Sequence, residues 1–409
     1  MRVGPITLLK TKTFSQFLSQ RTLLCEENSR LANELGVGGT THSFMHYPWN
    51  ATTATKRILE ADQANAKHNE AVSRVIAAYQ KTDKERVQAA PGMWHEIEAK
   101  NKQFVNALET GNLVVVSEIL SKLFQSQAIW GLGKFDENLL NDMKEPHQKS
   151  HLQLRITDAL VSLAKGIGAE RLTSVEQQGI EPHLKALSVD LNELTQSVEK
   201  ELGFDIGSPL VGAAYGCSIN DKFITLDGLI NAYIAYRLHQ LGASEGKTVV
   251  EIGGGFGCLA EIVFRAFNCN YAIYDLPWVG AIQGYFLIMS LPPGTVKLLG
   301  EDQGRVEVLP FWRFNSLADQ SLEFVINSDS LPEMGYETAV SYIEKIAKAL
   351  KGVFLSINQE AMAKNSNAGK QNCVHSIANS VGGLRLLSRS IYWMRQGFVE
   401  EVFVPKILA

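Results

Sequence analysis

The chain has 409 residues, 45% hydrophobic and 20% charged, and its 39 Lys and Arg stand against 43 Asp and Glu for a net charge of −4. So long a chain exceeds one ordinary hydrophobic core, and two domains are expected. The near-balance of charge gives no bulk pull toward nucleic acid or anionic lipid, and it points to a small or uncharged acceptor.

Residues 1–205 read mainly as helix. Thr13-x-x-Gln16 has the form of a capping box around Phe14, Phe17 and Leu18. Good helix formers without Pro or Gly fill 54–80, and apolar residues recur at helical spacing in 113–124, 151–165 and 183–203. In 203–220, GFDIGSPLVGAAYGCSIN, Gly, Pro and Ser cluster and the helical periodicity stops. That break sets a boundary between a helical domain over 1–205 and a second domain over 206–409. The first is expected to bind the acceptor or to build a homo-oligomer, with His151 and His183 as candidate cleft residues.

The second domain alternates. A helix over 226–241 leads into a strand at 247–252, and a further helix covers 258–267. Strands follow in NYAIYDLP, TVKLLG and EFVINS, with a short one in RVEVLPFW, and helices cover 277–290 and 336–350 before strand GVFLSINQE. Such alternation argues an α/β fold with a parallel sheet covered on both faces. The closing pair at 386–405 is too tightly connected for a crossover and should be antiparallel.

Between the first strand and its helix lies VVEIGGGFGCLAE, residues 249–261. A strand running into four glycines lets backbone approach a ligand, and the following helix offers its N-terminus. Read as Gly255-x-Gly257-x-x-Ala260, with Asp275 further on, the loop fits a dinucleotide fingerprint. Read as Glu251-x-Gly253-x-Gly255-x-Gly257, it fits an S-adenosylmethionine loop. Only about 150 residues follow it, little for a six-strand dinucleotide domain plus a substrate domain. Glu251 also suits a ligand carrying an ammonium and a sulfonium better than a pyrophosphate. Asp275 ends the second strand, where a carboxylate can accept from ribose hydroxyls in either class of enzyme or can cap the next helix.

The five cysteines, Cys25, Cys217, Cys258, Cys269 and Cys373, are scattered without a CxxC pair, so neither a disulfide framework nor a zinc knuckle is indicated. No uncharged apolar run reaches the length of a membrane span, and the N-terminal apolar stretch is too short for a signal peptide. A cytoplasmic protein is expected.

The runs YDLPWVGAIQGYFLIMSLP, VLPFW, VINSDSLPEMGYETAVSYIEKI, NQE, KQN and IYWMRQGFVEEVF resemble the sugar O-methyltransferase family, within the class I S-adenosylmethionine-dependent methyltransferases. The likeness is strongest over 210–409, and DLP with Gln283 and the NSxSxxEM segment form its narrower signature. It implies a Rossmann-like sheet finished by an antiparallel hairpin, S-adenosylmethionine as cofactor, and a sugar or glycosylated acceptor. It further implies that Gly253, Gly255 and Gly257 approach the methionine part and that Asp275 binds the ribose. Leu276, Asn327 and Ser328 at neighbouring strand ends are expected to line the same cofactor. Glu301 and Asp302, past the third strand, are candidates to cap the adenine amino group. The polar loop 361–375 has no counterpart that carries acceptor identity over.

Methylating a sugar hydroxyl requires a base within hydrogen-bond reach or a metal that acidifies the hydroxyl. The strand ends offer Asp329, Glu333 and His375: the histidine is favoured by its ordinary pKa and Asp329 by its position. Asp329 with Glu333 could hold a divalent ion, although their spacing matches no metal motif. Tyr233 and Tyr236, at helical spacing, read as core. An NAD-dependent oxidoreductase and a non-catalytic cofactor-binding module are the rival readings.

Overall fold

The computed structural model describes residues 55–83, 85, 93–129, 132, 146–172, 176, 190–360, 364–365, 369–370 and 372–406. The expected capping box at Thr13, Cys25 and His183 lie outside these residues, as does the side chain of His151.

The N-terminal half is helical after one short strand, β1 (Thr55–Ile58). Helices α1 (Ala66–Asp83), α2 (Met93–Lys100), α3 (Lys102–Thr110), α4 (Leu113–Ser121), α5 (Pro146–Ile167) and α6 (Leu191–Leu202) follow. Asn112 caps α4 by accepting from Val115 N–H, and Asp190 caps α6 by accepting from Asn192 and Glu193. Residues 215–224, inside the stretch read as a boundary and the turn beyond it, form a hairpin instead. Strands β2 (Tyr215–Ile219) and β3 (Lys222–Ile224) are joined through Asn220 and Asp221 at φ 51° and 60°. Two left-handed residues between strands are the tight hairpin turn that Asn and Asp favour. β1 pairs with β2, so the first described strand closes on the stretch read as a boundary.

Helix α7 (Leu226–Gln240) then delivers the chain to an eight-stranded sheet. In chain order its elements are β4 (Thr248–Ile252), α8 (Cys258–Phe267), β5 (Asn270–Asp275), α9 (Pro277–Ser290), β6 (Val296–Leu298), β7 (Val306–Pro310), β8 (Leu322–Ser328), α10 (Tyr336–Ala349) and β9 (Leu350–Gln359). A two-residue bridge pair, β10 (Lys364–Asn365) and β11 (Gly369–Lys370), precedes α11 (Val374–Val381), β12 (Leu384–Ile391) and β13 (Phe398–Pro405). The strand order is β12-β13-β9-β8-β4-β5-β7-β6. Only β13 runs against its neighbours, pairing antiparallel with both β12 and β9. The strand beside β5 is therefore VEVLP, whereas TVKLLG forms the outer edge.

Alternation along β4 sends Val249 to one face with Tyr271 and Ile273, and Val250 and Ile252 to the other with Tyr274 and Phe354. The first face is covered by α7, α8 and α9, and its apolar cluster runs on without a break into α1, α4, α5 and α6. A buried polar chain crosses the same junction. Asp62 accepts from Tyr285 at 2.6 Å, and Tyr285 meets His68 at 2.8 Å, which meets Ser117 at 2.7 Å. The N-terminal helices thus share one core with the sheet.

Candidate active site

The chain moves from β4 to β5 on one side and to β8 on the other, so the carboxyl ends of β4 and β8 form the topological switch point where open α/β sheets bind ligands. The glycine loop stands there. Gly253 has φ 72°, and a Cβ on it would lie 2.2 Å from Ser330 Oγ. That hydroxyl has no freedom to retreat, because it donates to the Ile252 carbonyl at 2.9 Å and receives the Asn327 amide. Gly255, at φ 55°, has no atom within 4 Å of its Cβ position and marks the open side of the loop.

Asp275 ends β5 beside the loop. Its Oδ2 accepts from Gly254 N–H at 3.0 Å and from Gln283 Nε2 at 2.7 Å, and Oδ1 accepts from Leu276 N–H at 2.7 Å. Gln283, fully buried on α9, also donates to the Gly255 carbonyl at 3.0 Å, so one amide ties the acid to the loop. Burial pushes the Asp275 carboxyl up to about 6 against the three hydrogen bonds that favour its charge. A carboxylate oxygen holding a single donor retains capacity for a ligand hydroxyl. Leu276 lines an adjoining apolar groove with Tyr79, Leu298, Val308, Leu309 and Pro310.

Three expected cofactor residues take other positions. Glu251 lies beneath the loop, 3% exposed, receiving the Tyr271 hydroxyl at 2.9 Å. Burial pushes it up to about 8, so the anion expected opposite a ligand ammonium is largely protonated at neutral pH. Glu301 binds Arg74 of α1 through both oxygens at 2.8 Å and accepts from Leu298 N–H, past the edge strand β6, while Asp302 is exposed. The strand next to β5 is followed instead by Phe311 and Trp312. Asn327 is fully buried and clamps the loop by donating to the Ile252 carbonyl at 2.8 Å, with Ser328 partly exposed at the end of β8.

Asp329 follows at φ 67°, a left-handed conformation uncommon outside glycine, where strain often accompanies function. Its Oδ2 receives Arg395 Nη1 at 2.7 Å from the turn between β12 and β13, and its buried Oδ1 has no protein partner. Glu333, one turn further, receives Trp94 Nε1 of α2 at 3.1 Å. Burial pushes Glu333 up to about 8, the charge of Asp329 adds to that shift, and Trp94 and Arg395 oppose it. His375 is engaged elsewhere: Nδ1 meets Glu401 at 2.6 Å and Nε2 meets Asn379 at 2.9 Å, so neither nitrogen is left for an acceptor hydroxyl. Asn358 Oδ1, Tyr392 OH and Trp278 Nε1, from the same rim, are buried without protein partners. Among the described residues no group of three or more His, Cys, Asp or Glu is placed to hold a metal ion, and no helix is long and apolar enough to cross a membrane.

Trp94 and Arg395 were not legible as site residues in the sequence. Each is brought in by tertiary contact, and the one local cue was a Trp-Met-Arg run in a predicted hairpin turn.

A parallel sheet with one antiparallel strand inserted second from its end is the class I methyltransferase fold. No protein-family model matches the chain, and no curated protein does. Solved structures with a similar fold include magnesium protoporphyrin IX methyltransferase from Synechocystis PCC 6803 with bound SAM. It is 14% identical, with 43% of this chain and 78% of that one covered and a TM-score of 0.32. An O-methyltransferase family protein from Burkholderia thailandensis is 17% identical, with 44% and 59% covered and a TM-score of 0.30. The cyclase SpnF is 12% identical, with 42% and 80% covered and a TM-score of 0.33. Likenesses this remote extend to the fold alone.

Proposed function

We propose that the chain is an S-adenosylmethionine-dependent O-methyltransferase whose acceptor is a hydroxyl of a sugar or of a glycosylated natural product. The observation that carries this reading is the cradle formed by Asp275, Gln283 and the glycine loop at the switch point of the sheet. Antiparallel β13, inserted between β9 and β12, interrupts a direction that a dinucleotide-binding sheet keeps parallel, which weighs against a nicotinamide enzyme. The residues fit the methionine nucleoside. Asp275 would accept from its ribose, Leu276 and the adjoining groove would take its purine, and the open side of Gly255 would admit its methionine part.

When bound, the cofactor supplies an electrophilic methyl group. The chain must align a hydroxyl with it and remove the proton. Asp329 orients that hydroxyl through its unpartnered Oδ1, and Glu333 accepts the proton. The partnerless polar atoms of Asn358, Tyr392 and Trp278 suit a ligand with several hydroxyls. Incubating the protein and cofactor with a panel of glycosides, followed by mass spectrometry, should show a gain of one CH2 on at least one of them. A gain confined to amines or thiols would contradict O-methylation.

A further inference from the structure

Arg395 holds Asp329, and the fold in turn holds Arg395. The residue stands in the turn between β12 and β13, which closes where Tyr392 N–H donates to the Phe398 carbonyl at 2.9 Å. Its guanidinium lies 4.1 Å from the Phe398 ring centroid and donates from Nη1 to Asp329 Oδ2 at 2.7 Å. A cation set over an aromatic face and bonded to a carboxylate has little freedom to turn elsewhere. Tyr392 and Met394 of the same turn are buried, and Trp393 between them packs on the shared core.

Trp393 is seated by the N-terminal half. Gly166 lies in the last turn of α5, and a Cβ built on it would overlap Cζ2 and Cη2 of the Trp393 indole and lie 2.7 Å from Cε2. Glycine is a poor helix former, and its place here is explained by the ring that fills the space of a side chain. The indole also meets Tyr233 of α7 in a T-shaped contact with ring centroids 4.8 Å apart, and the Tyr233 hydroxyl donates to Glu400 of β13 at 2.9 Å. Helices α5 and α7 therefore fix the turn, and the turn delivers Arg395 to Asp329. Asp329 needs such a hold, since a φ of 67° is unfavourable for a residue with a Cβ.

We propose that Arg395 is a positioning residue of the methyl transfer, holding Asp329 in place for the acceptor hydroxyl, and that α5 acts on the reaction through the contact of Gly166 with Trp393. This rests on the reading of Asp329 and Glu333 as the groups that orient and deprotonate the acceptor. It gives the N-terminal helices a part in the reaction that does not require them to touch a ligand. A reporter is built into the site, because Trp94 Nε1 donates to Glu333 at 3.1 Å. Two charges act on Glu333: that of Asp329 favours its protonated form and that of Arg395 its carboxylate.

The indole N–H resonance of Trp94, followed by NMR against pH on the full chain, tests the assignment with neither cofactor nor acceptor present. Glu333→Gln should abolish its titration, which identifies the acid. Arg395→Gln removes a charge that favours the carboxylate, so the resonance should titrate at higher pH than in wild type, whereas Arg395→Lys should stay close to wild type. Gly166→Ala should move the titration in the same direction as Arg395→Gln. In a Trp393→Phe background it should have no such effect, because the shorter ring leaves room for the methyl group. On the glycoside panel, Arg395→Gln should lower turnover about 10-fold to 100-fold while S-adenosylhomocysteine affinity stays within about twofold of wild type. An unmoved titration in Arg395→Gln would overturn the assignment. Equal losses of turnover and nucleoside affinity would also overturn it, by marking a structural role. Gly166→Ala with an unmoved titration and the raised melting temperature of an ordinary helical glycine replaced by alanine would overturn the link from α5. The titration needs no ligand, so failure of this assignment is read separately from wild-type protein that methylates no glycoside, which would remove the reading beneath it.

Discussion

Replacing Glu333 with Gln is expected to lower kcat about 100-fold to 10,000-fold with cofactor affinity nearly unchanged, once an acceptor is in hand. The carboxyl lies at the sheet rim, is bonded by Trp94, and is pushed up to about 8 by burial and by the charge of Asp329. A base works when deprotonated, so the wild-type rate should rise as pH rises through that region and level off above it. Glu333→Gln should lose that limb. Asp329→Asn removes both a hydrogen-bond acceptor for the hydroxyl and the negative charge that lifts Glu333. Its rate should fall, and its residual limb should move to lower pH. His375→Ala should retain most activity because both ring nitrogens are held by Glu401 and Asn379. Near-normal rates in both carboxylate variants would mean deprotonation by water or another group. Activity lost to EDTA and restored by Mg2+ would make the carboxylates metal ligands instead.

Gly253→Ala should abolish measurable cofactor binding or weaken it more than about 10-fold, and should lower the melting temperature as well. Left-handed backbone alone costs an alanine roughly 1 to 2 kcal/mol. At this position a Cβ also enters a space 2.2 Å from Ser330 Oγ and 2.4 Å from Ser330 Cβ. Relieving that contact means dislodging Ser330 from the Ile252 carbonyl and from Asn327, the groups that fix the start of the loop. Gly203 is the internal control, since it has φ 79° and nothing within 4 Å of its Cβ position. Gly203→Ala should show the backbone cost only. Equal losses in melting temperature for the two variants, with S-adenosylhomocysteine affinity intact, would remove the loop clamp from this account.

The sheet was legible in the sequence because its strands are short β-branched runs separated by helical runs, each a local signal. The cradle was legible in part. Glycine density and Asp275 announce a ligand site, and Gln283 lies in one of the runs that carry the resemblance, but its bond to the Gly255 carbonyl needs α9 folded back on the loop. The order of β6 and β7 was not legible, since TVKLLG and VEVLP have the same strand character and only packing against α1 and α9 decides which pairs with β5. The hairpin at Asn220–Asp221 carried a readable turn signal, hidden within a Gly- and Pro-rich stretch that resembles a linker. The partners of the acids were the least legible. Glu301 meets Arg74 from 227 residues away and Glu333 meets Trp94 from 239 residues away. At such separations no periodicity or spacing rule connects the residues. The same limit applies to Glu251, whose position under the loop depends on Tyr271 of the neighbouring strand.

The central claim, that the cradle of Asp275 and the glycine loop holds a methionine nucleoside, is tested most directly by calorimetry of the purified protein with S-adenosylhomocysteine and with NAD. The account predicts saturable binding of S-adenosylhomocysteine, weakened about 10-fold to 100-fold by Asp275→Ala, and no detectable heat from NAD. Tight binding of NAD without binding of S-adenosylhomocysteine would contradict it.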